Sequence, residues 1–299
     1  MRSLLFVPGD DRRKIEKSLQ TQADALVLDL EDSVAPARKP QARAIVREAL
    51  GADRHGKTVY VRINAFDSGE MLADLAAVMP GRPHGIVLPK CEGGEDVRRL
   101  DHMLSGVECA LGIEAGRTRI IVVSTETAAA VLAHASYRDA SPRLDGLIWG
   151  AEDLAGALGA SANRDPAGAY KPPFELARSL CLLGAAAANV LAIDAVYTDY
   201  QDLAGLAAEA RRAREDGFGC KAAIHPSQCG VINAAFMPTE AEVGWARRVL
   251  QALRGAQGQG VATLDGRMID RPHEIQARRI LQRAQSLHEA CRTEPAVDF

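Results

Sequence analysis

Two acidic side chains, Glu126 and Asp153, have types and surroundings that could do chemistry. Each follows a short apolar run closed by small residues. Ile120-Ile121-Val122-Val123-Ser124 leads into Thr125-Glu126-Thr127, and Leu144-Asp145-Gly146-Leu147-Ile148-Trp149-Gly150 leads into Ala151-Glu152-Asp153. Short apolar runs punctuated by Gly read as buried strands, so each carboxylate falls at the C-terminal mouth of a strand. The Ala-rich stretch 128–135 reads as a helix, and two successive strand–helix units put both carboxylates on one rim. Oxygen-only donors with no His or Cys beside them suit Mg²⁺, which takes one or two protein carboxylates and completes its shell with substrate and water. Either residue alone reads equally well as a helix cap; the pair in register favours the metal.

The rest of the chain supplies the scaffold. Strand-like runs recur at 3–7, 25–30, 59–63, 85–88, 120–124, 144–149, 190–194 and 222–224, with helical patterns at 12–22, 39–50, 70–78, 95–104, 128–135, 174–188 and 203–215. Eight strands alternating with helices predict a parallel sheet closed into a (β/α)₈ TIM barrel over residues 1–237. An open doubly wound sheet is the alternative, but Val7-Pro8-Gly9-Asp10-Asp11 lacks the G-x-G-x-x-G turn such a fold usually carries after its first strand.

A barrel active site sits where strands end, and polar residues gather there: Asp29, Glu31 and Asp32, then Arg62 and Asn64, Lys90 after Pro89, Asp194, and His225-Pro226. Asp29 and Glu31 alternate about Leu30, so at most one faces the axis at a given depth; Asp32 is the best candidate to cap a helix or pair with Lys39 and Arg43. Arg62 follows three β-formers and is desolvated at that position. Asp29 is a plausible structural partner, but the favoured reading is a bidentate grip on a substrate carboxylate. Lys90 reads equally as a rim charge or a polar anchor. His225, on a stiff turn before Pro226, reads as structural on pattern alone.

Residues 238–299 form an appendage. Thr239 and Glu242 have capping-box spacing, 255–260 has linker composition, and Asp265-Gly266 is a hairpin-type turn ahead of a helix to about Arg292. A hairpin and helix on a tether read as a lid or swapping arm carrying Asp270, which could also be a plain N-cap.

The formal charge of −3 gives no footprint for nucleic acid or an anionic membrane surface. Six cysteines without C-x-x-C spacing point to thiols in a reducing compartment. The first residues do not read as a signal peptide and no run spans a bilayer, so a soluble, cytoplasmic protein is expected.

The motifs together resemble a known family. Leu5-Phe6-Val7-Pro8-Gly9, Ala23-Asp24-Ala25-Leu26-Val27-Leu28-Asp29-Leu30-Glu31-Asp32-Ser33-Val34, Lys39, Ala42-Arg43 and Val61-Arg62-Ile63-Asn64 carry the match through the first half. Ser124-Thr125-Glu126-Thr127, Gly150-Ala151-Glu152-Asp153-Leu154, Ala223-Ile224-His225-Pro226 and Gly266-Arg267-Met268-Ile269-Asp270-Arg271-Pro272 continue it. This pattern resembles the citrate lyase β-subunit and malyl-CoA lyase family. The resemblance implies a barrel that breaks or forms a C–C bond beside a thioester, with Mg²⁺ on Glu126 and Asp153 and Arg62 on the oxo-acid carboxylate. It implies proton transfer by Asp270 from a neighbouring subunit's lid in a homotrimer or hexamer, with His225-Pro226 near the carrier, coenzyme A or an acyl carrier protein. Arg62, Asp270 and Asp29 are the expected catalytic set, and Arg62, Glu126, Lys90, His225 and Pro226 the expected substrate contacts. Rival readings are a pyruvate-type aldolase without a thioester, a malyl-CoA thioesterase, and a non-catalytic assembly subunit.

Overall fold

The computed structural model describes residues 1–256 and 260–292. Strands β1 (Ser3–Pro8), β2 (Ala25–Asp29), β3 (Thr58–Arg62), β4 (Gly85–Leu88), β5 (Arg119–Val123), β6 (Leu144–Ile148), β7 (Leu191–Asp194) and β8 (Cys220–Ala223) pair in parallel in chain order. β1 hydrogen-bonds back to β8, with Leu4 opposite Ala222, and closes the barrel. Their apolar character has a plain cause. A parallel barrel buries both faces of each strand, so the strands read as continuous hydrophobic runs rather than alternating ones. The interior is filled by Leu4, Val27, Tyr60, Val87, Ile121, Ile148 and Ile193 from successive strands.

The intervening helices are α1 (Arg12–Leu19), α2 (Lys39–Gly51), α3 (Met71–Val78), α4 (Gly94–Leu111), α5 (Ala128–Leu132), α6 (Glu152–Leu158), α7 (Pro172–Ala188), α8 (Leu203–Asp216) and α9 (Pro226–Ala235). Two of them, α6 and α9, fall where the periodicity shows no helix, because short helices rich in Ala and Gly carry too few apolar positions to display a 3.6 period. The single helix expected over 128–135 is α5 followed by a 3₁₀ turn, His134–Tyr137. Thr127 caps α5, its side chain accepting the Ala130 N–H at 3.1 Å.

Register places the rim. β2 and β3 align Asp29 with Arg62. Between β5 and β6 the register slips by one residue, Ile120 facing Leu144 but Ile121 facing Gly146, and it then holds to Val123 opposite Ile148. At the first strand's exit Gly9 donates its N–H to Asp29 O at 2.8 Å; a Cβ there would lie 2.5 Å from that same oxygen, so no larger residue fits the approach.

The chain falls into two compact units, Met1–Ala235 and Phe236–Phe299. The second contains α10 (Glu240–Gly255), the hairpin β9 (Val261–Leu264) and β10 (Arg267–Asp270), and α11 (Arg271–Arg292). Thr239 and Glu242 form the expected reciprocal capping box. Asp265 and Gly266 both have positive φ, 51° and 75°, as a two-residue hairpin turn requires. Ala246, Val249, Ile269 and Ala277 form the core of this unit. The centre of the expected linker, 257–259, lies outside the described residues. Among the described residues no helix is long and apolar enough to cross a membrane.

Candidate active site

The C-terminal ends of the barrel strands enclose a cavity of about 430 Å³. Asp29, Arg62, Glu126 and Asp153 line it with Phe6, Val123, Ile148, Trp149, Tyr170, Ala195 and Ile224. Four of the sequence-nominated residues therefore meet at one place, in a setting that is charged on the β2–β3 side and at the β5–β6 rim and apolar along β7 and β8.

Arg62 ends β3 beside the end of β2, and Asp29 takes one edge of its guanidinium. Nε donates to Asp29 Oδ1 and Nη2 to Oδ2, both at 2.7 Å. The same carboxylate accepts the N–H groups of Glu31 at 2.9 Å and Ser33 at 3.2 Å. Burial alone would raise Asp29, but the Arg62 hydrogen bonds and charge outweigh it and hold this carboxyl below the ordinary range. Arg62 Nη1 makes no hydrogen bond among the described residues; its nearest acids are Glu31 Oε2 at 3.0 Å and Asp32 Oδ2 at 3.7 Å. Phe6 lies under the guanidinium, 5.2 Å from ring centre to Cζ. The structural partnership with Asp29 is thus present, and the third nitrogen, Nη1, faces the Glu31 carboxylate.

Asp29 and Glu31 share this cation at successive depths, both being almost wholly buried. Glu31 lies past the end of β2, and its carboxylate spans Arg62 and Lys90, whose Nζ donates to Glu31 Oε1 at 2.6 Å. Asp32 does not pair with Lys39 or Arg43 as the sequence suggested. It lies 3.7 Å from Lys90 and from Arg62, while Arg43 is held by Glu70 and Asp74. Lys90 sits in the left-handed region, φ 49°. That conformation lets its backbone N–H donate to Glu126 Oε2 while its side chain reaches Glu31. Strain of this kind collects where the surroundings hold a residue for a purpose.

Glu126 is 4 % exposed. Burial is the largest influence on its carboxyl; the Lys90 N–H partly offsets it, the charges of Asp153 and Glu31 add to it, and together they push the group up to about 8. Asp153 is exposed in the first turn of α6. Glu126 and Asp153 are brought to one rim by a side-chain clasp that continues the β5–β6 ladder beyond its last backbone pair. Ser124 N donates to Ile148 O at 2.8 Å; Thr125 Oγ1 then donates to Gly150 O at 3.0 Å and accepts Gly150 N–H at 2.8 Å. Thr125 is fully buried. Among the described residues no three His, Cys, Asp or Glu side chains converge as a metal cage. A cation held at this rim would rest on two carboxylate oxygens and take its other ligands from substrate and water. The donor chemistry suits a hard divalent ion, and such an ion would offset the burial and the lesser like-charge repulsion that raise Glu126.

Asp194, which the strand-end pattern grouped with the rim residues, is turned into the protein instead. It accepts Trp149 Nε1–H at 2.7 Å and Lys221 Nζ at 2.6 Å and lies 3.3 Å from Arg178 Nε. A fully buried Lys needs such partners, and Ala195 O and Glu209 complete its set. The network presents Trp149 to the cavity with its only polar atom facing away. Tyr170, from the loop before α7, meets Trp149 edge-on at 4.8 Å and is covered by the Arg164 guanidinium 3.7 Å from its ring centre. Trp149 and Tyr170 were not singled out as site residues in the sequence. Trp149 reads there as the last residue of a buried strand, and nothing in the pattern around Tyr170 distinguishes it.

His225 and Pro226 do not line the cavity. His225 and Pro226 are exposed at the start of α9; the His225 ring stacks on Tyr200 at 4.9 Å, and its Nδ1 pairs with Ser227 Oγ at 2.8 Å. Asp270 ends β10 in the second unit. Its carboxylate partner is the His273 ring, Oδ1 to Nδ1 at 2.6 Å, rather than the backbone N–H a plain cap would take.

Comparison with known proteins bears on this geometry. The family model described as HpcH/HpaI aldolase/citrate lyase matches residues 2–226. The (3S)-malyl-CoA thioesterase of Cereibacter sphaeroides is 33% identical, the alignment covering 96% of this chain and 95% of that protein. The citrate lyase subunit beta-like protein of Mycobacterium tuberculosis is 37% identical over 94% of each. Among solved structures, M. tuberculosis CitE in complex with magnesium, acetoacetate and coenzyme A aligns at 36% identity with a TM-score of 0.79, covering 95% of this chain and 98% of that one.

Proposed function

The chain belongs to the HpcH/HpaI aldolase/citrate lyase family, and from that premise we propose that it is a Mg²⁺-dependent carbon–carbon lyase. It cleaves or condenses a 3-hydroxy-acyl thioester of the malyl, citramalyl or citryl type, giving an acyl thioester and a 2-oxo acid. The observation that carries the reading is the meeting of Glu126 and Asp153 with Arg62 in one apolar-walled cavity. Relatives support the ligands: CitE has been solved with magnesium and pyruvate as well as with magnesium, acetoacetate and coenzyme A.

Glu126 and Asp153 would hold the Mg²⁺, which when bound polarises the oxo-acid oxygens as a Lewis acid. Arg62 does the orienting. Asp29 fixes its plane, and the oxo-acid carboxylate would take the Nη1 edge that Glu31 now faces, so the guanidinium keeps its orientation when substrate arrives. Phe6, Val123, Ile148 and Trp149 keep the reacting carbon in a low-dielectric wall. Cleavage requires loss of the 3-hydroxyl proton, C–C scission with the electron pair passing to the thioester as its enolate, and protonation of the enolate carbon. Asp270 is the proposed proton donor, brought by a neighbouring subunit of a homotrimer or hexamer. Lys90 acts through its braces on Glu31 and Glu126. Tyr200 and His225 offer a flat exposed surface for the thiol carrier, coenzyme A or an acyl carrier protein. Cys91, Cys109, Cys181, Cys220 and Cys229 form no disulfide, which fits residence in the cytoplasm.

A second reading has its own support in the thioesterase relative: hydrolysis of the thioester, releasing free thiol and a hydroxy acid. One experiment separates the two. Acetyl-CoA and propionyl-CoA are each incubated with glyoxylate, pyruvate and oxaloacetate, with and without Mg²⁺, and products are resolved by mass. A lyase forms a hydroxy-acyl-CoA only with Mg²⁺; a thioesterase accumulates free CoA and hydroxy acid. Absence of product from every pair refutes the lyase reading, and absence of free CoA from a hydroxy-acyl-CoA supplied directly refutes the thioesterase reading.

A further inference from the structure

Tyr170 lines the cavity and is only 9 % exposed, yet its hydroxyl has no hydrogen-bond partner among the described residues. The ring is buried, but the hydroxyl is not among the buried unpaired atoms, so it is open to solvent rather than spent on a protein acceptor. Polar groups packed behind this wall have theirs: Trp149 donates to Asp194, and Lys221 is satisfied three times over. The Tyr170 ring is not loose. Arg164 stacks on it, with the Arg164 guanidinium itself tied to Glu209 at 2.8 Å, and Trp149 meets it at an interplanar angle of 73°. A donor that is rigidly placed and not spent on the protein is the arrangement that stabilises charge appearing on a substrate oxygen.

We infer that Tyr170 is a further catalytic residue, donating its O–H to the thioester carbonyl oxygen as that oxygen becomes the enolate oxygen. The assignment rests on the lyase reading above. The two ends of the cavity divide the substrate: Arg62 and the Glu126–Asp153 rim serve the oxo-acid half, leaving the thioester oxygen without a donor from those groups. Tyr170 gives up no proton in this role. The C–C pair moves to the thioester, the negative charge settles on its oxygen against the phenol, and the enolate carbon later takes its proton from a separate acid. Burial pushes the Tyr170 phenol well above its ordinary value, so it stays a donor throughout the working pH range.

Tyr170→Phe removes one oxygen and preserves the ring, its stacking and the cavity volume. The expected result is a fall in kcat of about 10–100-fold, somewhat less than the loss of a donor from an oxyanion hole. Mg²⁺ affinity and pyruvate affinity, measured by titration calorimetry, stay within twofold. Exchange of acetyl-CoA methyl protons for deuterium in D₂O, read by NMR, falls in parallel with kcat. An active wild type matched within twofold by Tyr170→Phe overturns this assignment alone. So does a variant that loses pyruvate affinity, because Tyr170 would then hold the oxo acid. A wild type inert toward every thioester overturns the lyase reading and this assignment together.

Discussion

Thr125→Val tests whether the metal rim is held by the clasp between β5 and β6. The change is nearly isosteric and removes only the hydroxyl that donates to Gly150 O at 3.0 Å and accepts its N–H at 2.8 Å. Two neutral hydrogen bonds at about 1 kcal/mol each are lost, and a stranded peptide group adds up to a few kcal/mol more where water cannot reach it. Gly150 is half-buried, so hydration recovers part of that penalty, and the expected destabilisation is about 2 kcal/mol. At roughly 2–4 °C per kcal/mol for a unit of this size, Tm drops by about 4–8 °C. The sharper readout is the cation. Glu126 follows Thr125 directly and Asp153 lies three residues past Gly150, so a loosened clasp lets the two carboxylates drift apart. Loss of such outer contacts commonly weakens metal binding by about 10–100-fold. Differential scanning calorimetry gives the first number, and Mg²⁺ titration on folded protein well below Tm gives the second. Thr125→Ser keeps the hydroxyl and should restore Mg²⁺ affinity to within about threefold of wild type, though it loses a buried methyl worth about 0.8 kcal/mol. If Thr125→Val binds Mg²⁺ like wild type, the rim is held by something else and the reasoning fails.

Three other expectations follow from the same geometry. Asp153→Asn should abolish Mg²⁺-dependent turnover with little change in circular dichroism or Tm, since a first-turn carboxylate contributes only about 0.3–1 kcal/mol to its helix; full activity in the variant would remove Asp153 from the ligand set. Asp270→Ala should lower kcat far more than it weakens oxo-acid binding, and an unchanged kcat would make the Asp270–His273 pair merely structural. His134 is buried, its Nδ1 2.8 Å from Val131 O and its Nε2 3.1 Å from Ser124 Oγ, and burial holds its pKa below the ordinary histidine value. The unfolded chain therefore binds a proton that the folded one resists, so His134 costs stability as pH falls below about 6.5, by at most about 1.4 kcal/mol per pH unit. Urea melts between pH 8 and 5 should show a shallower loss in His134→Gln than in wild type; equal slopes would refute it.

The amino-acid order alone carried the barrel, because alternation of buried strands and amphipathic helices is a local pattern that each segment displays by itself. It also carried the positions of Arg62, Glu126 and Asp153, since a barrel turns its strand ends toward one mouth wherever the strands occur. The helices α6 and α9 were not legible, being short and dominated by small residues. The pairing of Asp29 with Arg62 was open to a sequence reading, but other partnerships were not: that Lys90 reaches Glu126 by its backbone and that Asp194 faces inward to Trp149 and Lys221 depend on register and depth. Tyr170 shows the boundary most plainly. Its type and spacing are unremarkable along the chain, and only the packing of Arg164 and Trp149 around it fixes its ring in the cavity wall. Periodicity is written in neighbours along the chain, whereas a satisfied or unsatisfied polar atom is defined by groups far away in sequence, and folding alone brings those together.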